Sequence, residues 1–292
     1  ADINTLDDLA RVKSVVTNSI KKDGWAVLNA DNDYCVKIGR KAECNVAYFS
    51  MDENNPVIKS HCKKGGIACI CENGFITIQK GDWKIRVQRT ILIPLTFGGT
   101  VPFMIQNVMA ATLATFLWGF KTEDIQTSLQ TFIPSAAQTP GRMNIFEFKD
   151  FRFMIDFAHN PDGFKGIKEF LRHIDSPLKI GIIAGTGDRR DDDIREIGKL
   201  SAEMFDYIIL RQEKHLRGRT EENILNLLIE GIHSVDPDKQ FEIVPKEVEA
   251  IKYAMSMAKP GTFIVALSDV IDNAIETVQN YQEQERNGLF NV

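Results

Sequence analysis

Apolar residues recur at Leu6, Leu9, Val12, Val16 and Ile20, a helical spacing, and Gly24 closes the run. Thr5 supplies a hydroxyl cap, and Asp7 and Asp8 place negative charge at the positive end of the helix dipole. Lys13 interrupts the apolar face of this helix among Val12, Val15 and Val16. Residues 26–29 then read as a short strand, 29–33 as the loop at its end, and 45–49 as a second strand. Between Ile67 and Val87 the period shortens to alternation broken by Asn73-Gly74 and Gly81-Asp82, a hairpin signature. A strongly apolar helix is predicted over 103–118, with Asn107 as an amide inside it, and a second helix over 122–132.

Residues 134–140 are small, polar and bounded by prolines, which predicts a linker and divides the chain into 1–138 and 139–292. Beyond it, strands near 151–155, 179–184, 207–210, 241–244 and 263–267 alternate with helical stretches. That alternation predicts an α/β fold with a doubly wound, mostly parallel sheet. Two of these strands run into polar, turn-forming loops. Asp156 opens one that continues to His159, Asn160 and Pro161; Gly185 opens another that continues through Gly187, Asp188, Arg189 and Arg190. A third loop, His215-Leu-Arg217-Gly-Arg219, follows the strand at 207–210. Open α/β sheets bind ligands at the carboxyl ends of their strands, so these loops are the candidate site.

Composition narrows the partners. The chain of 292 residues is 43% hydrophobic and 26% charged with a net charge of −5, an ordinary globular balance without general attraction for nucleic acid or an anionic membrane. No apolar run approaches the roughly 20 residues that span a bilayer, and no signal-peptide plan precedes Thr5, so a soluble cytoplasmic protein is expected. The five cysteines, Cys35, Cys44, Cys62, Cys69 and Cys71, fit reduced thiols. His61-Cys62 with Cys69 and Cys71 could suggest zinc, but Cys-x-Cys is not the usual knuckle spacing, and buried thiols are the expectation.

Each candidate has a bland alternative. Arg142, beyond the Pro140-Gly141 turn, offers a planar fork for a phosphate, or is a solvated arginine. Asp156 can meet a ribose hydroxyl or a metal, and His159 can stack or titrate near neutrality. A structural histidine is the alternative. Gly185-Thr-Gly187 permits close backbone approach, while Asp191, Asp192 and Asp193 argue against a pyrophosphate seated on the next helix. Arg217 and Arg219 could hold a carboxylate or form a solvated basic loop. Lys13 could be a snorkelling surface lysine, and Asn107 a helix-packing amide.

Pro140-Gly-Arg142-Met-Asn followed by Asp156-Phe-Ala-His159-Asn160-Pro161 resembles the C-terminal domain of the Mur ligase superfamily. The run from Gly187 to Arg195, with Arg217-Gly-Arg219, is most similar to its cyanophycin synthetase branch. Leu6 to Val16 and Leu28-Asn-Ala-Asp31 resemble the latter part of that family's central ATPase domain. The resemblance implies a remnant of a Mur ligase central domain followed by a Mur ligase C-terminal domain. It implies an ATP- and magnesium-dependent ligase joining arginine to aspartate side-chain carboxylates of a poly-aspartate backbone through an acyl phosphate. Arg142 would contact ATP phosphate, Asp156 the ribose, and His159 would lie near the adenine. Asn107 matches the second asparagine of a nucleotide-contacting helix motif whose earlier member is Met104 here. Lys13 aligns with the lysine carbamylated to help bind magnesium, so Lys13 and Arg142 are the catalytic expectations. Asp188, Arg189, Arg190, Arg217 and Arg219 would bind the amino-acid and peptide-polymer substrate.

The sequence contains no Gly-x-x-x-x-Gly-Lys-[Ser/Thr] phosphate loop. A fragment lacking the upstream loop and ATP-grasp module, and inactive alone, is therefore expected, its partner being the N-terminal part of the same polypeptide. Full-length relatives imply a homo-oligomer. The competing expectation is a non-catalytic nucleotide- or partner-binding module. A nicotinamide oxidoreductase is disfavoured by the missing GxGxxG.

Overall fold

A computed structural model describes residues 5–212 and 216–289, and the chain divides between Ile133 and Pro134 into two units. The first unit begins with α1 (Leu6–Asn18), whose N-terminus is a reciprocal capping box between Thr5 and Asp8. It continues through β1 (Trp25–Asn29), α2 (Asp33–Gly39), β2 (Asn45–Ser50), α3 (Pro56–Lys63), β3 (Ile67–Glu72), β4 (Phe75–Lys80), β5 (Trp83–Arg89), α4 (Pro102–Trp118) and α5 (Thr122–Thr131). The strands form one sheet in the order β1-β2-β3-β4-β5. The first three are parallel, and β4 and β5 fold back antiparallel. The β3–β4 turn is Asn73-Gly74, with φ of 51° and 75°, the left-handed pair that a tight hairpin demands.

Cys69 and Cys71 share one apolar core with Ile76, Ile78, Met109 and Leu113, whereas Cys62 lies in the other with Ile58 and Ile70. The sheet thus separates these thiols, as alternation along β3 requires. Burial pushes the Cys69 thiol far up, so it stays protonated and apolar in character.

Two short helices, α2 and α3, are not anticipated by apolar periodicity because neither is long enough to display it. Their caps are the legible part: the Asn32 side chain accepts from the amides of Tyr34 and Cys35, and Asn55 from those of Val57 and Ile58. Helix α1 ends at Asn18, short of the stop expected at Gly24. Its apolar stripe is exposed, Leu6, Leu9, Val12, Val15 and Val16 included, and the helix packs against α2 instead.

The second unit contains β6 (Asn144–Glu147), β7 (Phe151–Asp156), α6 (Pro161–Leu171), β8 (Lys179–Ile183), α7 (Asp191–Met204), β9 (Tyr207–Leu210), α8 (Glu221–His233), β10 (Phe241–Ile243), α9 (Glu247–Ser256), β11 (Thr262–Leu267) and α10 (Ile271–Arg286). Its sheet runs β10-β9-β8-β11-β7-β6. Every pairing is parallel except β6 with β7, an edge hairpin too short to show in the sequence pattern. From β7 the chain steps outward through β8, β9 and β10, then returns to insert β11 between β8 and β7. Crossovers in opposite directions along the sheet put helices on both faces. On β11, Ile264 and Ala266 pack with residues of α9 and α10, while the Phe263 ring meets Phe170 of α6. Phe153, Phe164, Phe205 and Phe263 are fully buried in this unit, and each such ring contributes roughly 1.5–3 kcal/mol. Among the described residues, no helix is long and apolar enough to cross a membrane.

Candidate functional site

The return of β11 brings four strand ends to one crest in the second unit. The ladders run on into the crest loops: the Arg211 amide donates to the Ile183 carbonyl at 2.9 Å, and the Ser268 amide to the Asp156 carbonyl at 2.9 Å.

Asp156 ends β7 and is 6% exposed. Its carboxylate accepts the Met143 amide at 2.9 Å on one oxygen and the Ala158 amide at 2.7 Å on the other. Burial raises its pKa, against the pull of these two amides and of the nearby Arg142 and His159. Asp156 therefore ties two backbone segments together before any ligand arrives. One of them is the turn at 140–143, where Gly141 has φ 68° and Met143 φ 48°. Asn144 secures the same turn, accepting from the Gly141 amide at 2.7 Å and donating to the Thr139 carbonyl at 2.9 Å. Arg142 projects from it exposed, with its guanidinium 5.5 Å from the Phe157 ring centroid.

Phe157 also meets the His159 ring edge-on at 4.7 Å. The His159 Nδ1 lies 2.8 Å from the Phe157 carbonyl, which orients the imidazole. Asn160 caps α6 through the Gly163 amide at 2.8 Å, and Pro161 takes the first helical position.

Phe157 and His159 form one side of a cavity of about 110 Å³ whose other walls are Thr186, Asp188, Arg189, Arg217 and Asp269. Two polar atoms, Thr186 Oγ1 and Arg189 Nε, are buried there without a hydrogen-bond partner. Asp188 pairs closely with Arg217 and lies 4.0 Å from Arg189 Nε. The cavity thus presents both charge signs within a few ångströms, with unsatisfied donor capacity, a setting suited to a small zwitterion.

Of the five arginine- and aspartate-loop candidates, Asp188, Arg189 and Arg217 are brought together here. The other two have different work. Arg190 pairs with Asp193 in the first turn of α7, at 2.8 Å. Arg219 clamps the loops, donating to the carbonyls of Gly187 at 3.1 Å and Arg189 at 2.8 Å and to Asp191 at 2.7 Å. The close approach at Gly187 is to protein, since a Cβ there would lie 2.0 Å from the Leu216 carbonyl oxygen. His215 lies outside the described residues.

Lys13 and Asn107 belong to the first unit. Lys13 is exposed on α1. Asn107 is exposed on α4, where its amide approaches Met104 Sδ at 3.9 Å and lines a largely apolar cavity of about 610 Å³ between α4 and α5. The buried Thr112 hydroxyl also faces this cavity and has no partner.

Asp269 is the site residue that reading the strand ends overlooked. Ser268-Asp269 leaves β11 as Asp156 leaves β7, and the same rule applied to that strand finds it.

Residues 141–270 match the family described as Mur ligase, glutamate ligase domain. Cyanophycin synthetase from Nostoc sp. is 42% identical over 95% of this chain, which covers 31% of that protein. The one from Geminocystis herdmanii is 37% identical over 96% of the chain, covering 32% of that protein. The chain therefore spans about a third of the length of these relatives. Among solved structures, E. coli FolC in complex with ADP shares the fold, with a TM-score of 0.66 at 16% identity over 96% of this chain and 59% of that one. Residues 141–270 therefore belong to the Mur ligase family, and the chain over nearly its whole length is similar to about a third of cyanophycin synthetase.

Proposed function

We propose that this chain supplies the ligase half-site of an ATP-dependent amide ligase that joins arginine to aspartate side-chain carboxylates of a poly-aspartate backbone through an acyl phosphate. The observation that carries this reading is the crest cavity, a small volume that Asp188, Arg189 and Arg217 line together with His159. Similarity to cyanophycin synthetases over nearly the whole chain supports the choice of substrates. On this reading the second unit is the Mur ligase C-terminal domain and the first is part of the central ATPase domain.

ATP would supply the phosphoryl group that activates the carboxylate. Three features support Arg142 as the phosphate contact: it is exposed, it projects from a pinned turn, and its guanidinium lies over the Phe157 ring. Asp156 retains lone pairs for a ribose hydroxyl beside its two amide bonds, and the His159 ring offers a flat face for a base. The amino acid's carboxylate would meet Arg189 and Arg217 and its α-amino group Asp188, which orients the amine for attack. Within the first unit, Asn107 is the proposed nucleotide contact.

The described residues do not form a fitting magnesium site. No group of three or more His, Cys, Asp or Glu side chains among them could hold a metal ion, and Lys13 carries no oxygen ligand unless carbamylated.

The test is phosphate release from ATP by the intact gene product with arginine and an aspartate-bearing primer. Arg142→Ala is expected to lower the rate roughly tenfold or more, as loss of a phosphate clamp does. Undiminished activity would remove Arg142 from the mechanism.

A further inference from the structure

Arg211 follows β9 and is 4% exposed, one of the most buried charged groups in the protein. Its Nη2 donates to Asp269 Oδ1 at 2.6 Å, and its Nε lies 3.7 Å from Glu247 Oε1. Glu247 is the first residue of α9 and accepts a short hydrogen bond from the Ser268 hydroxyl. That hydroxyl in turn accepts the Val270 amide at 3.1 Å. One guanidinium therefore joins the end of β9, the start of α9 and the loop after β11. Asp269 is also a wall of the crest cavity.

Burying such a cluster is a poor way to gain stability, because desolvation of the charges offsets their attraction, and well-packed apolar residues often do as well. What the cluster does provide is geometry. A planar fork reaches two carboxylates at fixed angles, which a lysine ammonium cannot do. The Glu247 Oε2 is left buried without a partner, so the arrangement is not the one that best satisfies Glu247 itself.

We propose that Arg211 is a positioning residue for the crest cavity: it holds Asp269 as an acidic wall that reads the positive side chain of the incoming amino acid. Glu247 and Ser268 fix the loop that carries Asp269. The inference rests on the reading that this cavity takes an amino acid.

The experiment uses the full 292-residue chain, with L-arginine and its neutral isostere L-citrulline as calorimetric probes. Wild type is expected to prefer arginine. In Arg211→Lys, which keeps the charge and loses the fork, the arginine-over-citrulline ratio should fall roughly fivefold. It should approach the ratio of Asp269→Asn, and the double variant should be no worse than Asp269→Asn alone, as for residues acting in series. A merely structural role would weaken both probes alike, and an unchanged ratio overturns the proposal. Thermal unfolding of each variant confirms that it folds. If wild type binds neither probe, the amino-acid reading of the cavity fails, and hydrogen exchange at the Ser268 and Val270 amides decides for Arg211. Exchange roughly tenfold faster in Arg211→Lys supports its positioning role; unchanged exchange ends it.

Discussion

The two units solve the problem of burying an apolar face differently. In the second, helices flank both faces of a six-stranded sheet, and the large aromatic rings of that core are fully covered. In the first, a five-stranded sheet is packed by α4, yet α1 leaves its apolar stripe exposed, with Val16 at 73%, and Trp118 is 85% exposed. Exposed apolar area of this kind is uncommon on a self-sufficient domain. The difference bears on chemistry. The crest cavity is walled by side chains of one unit held by that unit's own hydrogen bonds. Lys13 and Asn107 sit on a unit whose apolar surface its own described residues do not cover.

The largest expected effect separates the two units by stability. Phe153→Ala should destabilise the second unit by about 3–5 kcal/mol, because a fully buried ring is replaced by a cavity. All three tryptophans, Trp25, Trp83 and Trp118, lie in the first unit. In guanidinium, circular dichroism should show an early transition in this variant while the fluorescence midpoint stays put. A fluorescence midpoint that moves with it would show that the units unfold as one.

Next comes the crest. Gly187→Ala puts a methyl into the Leu216 backbone, which cannot yield as a flexible side chain would. A loss of roughly 1–3 kcal/mol in the second unit is expected, together with weakened L-arginine binding. Wild-type binding by this variant would mean that the loops do not need their close approach.

Asp156 gives a pH signature. Its pKa is raised in the fold above the ordinary value of 3.8. The folded state therefore binds the proton more readily than the unfolded one. The resulting stabilisation is fully present below 3.8 and lost as pH rises through the raised value. The stability of wild type relative to Asp156→Asn should accordingly be greatest at low pH and decline as pH increases. Urea midpoints of both proteins across that range measure it, and an opposite slope would mean that the two amide bonds outweigh burial.

The smallest effect tests the exposed stripe. Val16→Ser should change the stability of the first unit by no more than about 0.5 kcal/mol, since the side chain is mostly in water already. A larger loss would show the stripe to be covered.

Much of the crest was legible because strand ends announce themselves. Asp156 terminates an apolar run and His159 follows in a loop closed by Asn160-Pro161, so their shared place could be read in advance. The duties of the arginines could not. Arg189 and Arg217 line the cavity, whereas Arg190 turns to Asp193 and Arg219 to the carbonyls of Gly187 and Arg189. Nothing in their spacing distinguishes them, because which loop faces which depends on β8 and β9 being neighbours. The exposure of α1 was equally hidden: an amphipathic pattern states that a face wants burial, not that it is buried.

By itself the sequence determined what local forces decide. These are the alternation of strands and helices in the second unit, the Asn73-Gly74 hairpin, the caps at Thr5 and Asn160, and the polar loops at the strand ends. Only the tertiary structure decided the order of the strands. The insertion of β11 between β7 and β8 carries Asp269 to the cavity beside His159, and it places Asp269 against Arg211, 58 residues away. Periodicity is a property of neighbours along the chain. Sheet order is set by the packing of whole elements against both faces, so that is where the site was completed.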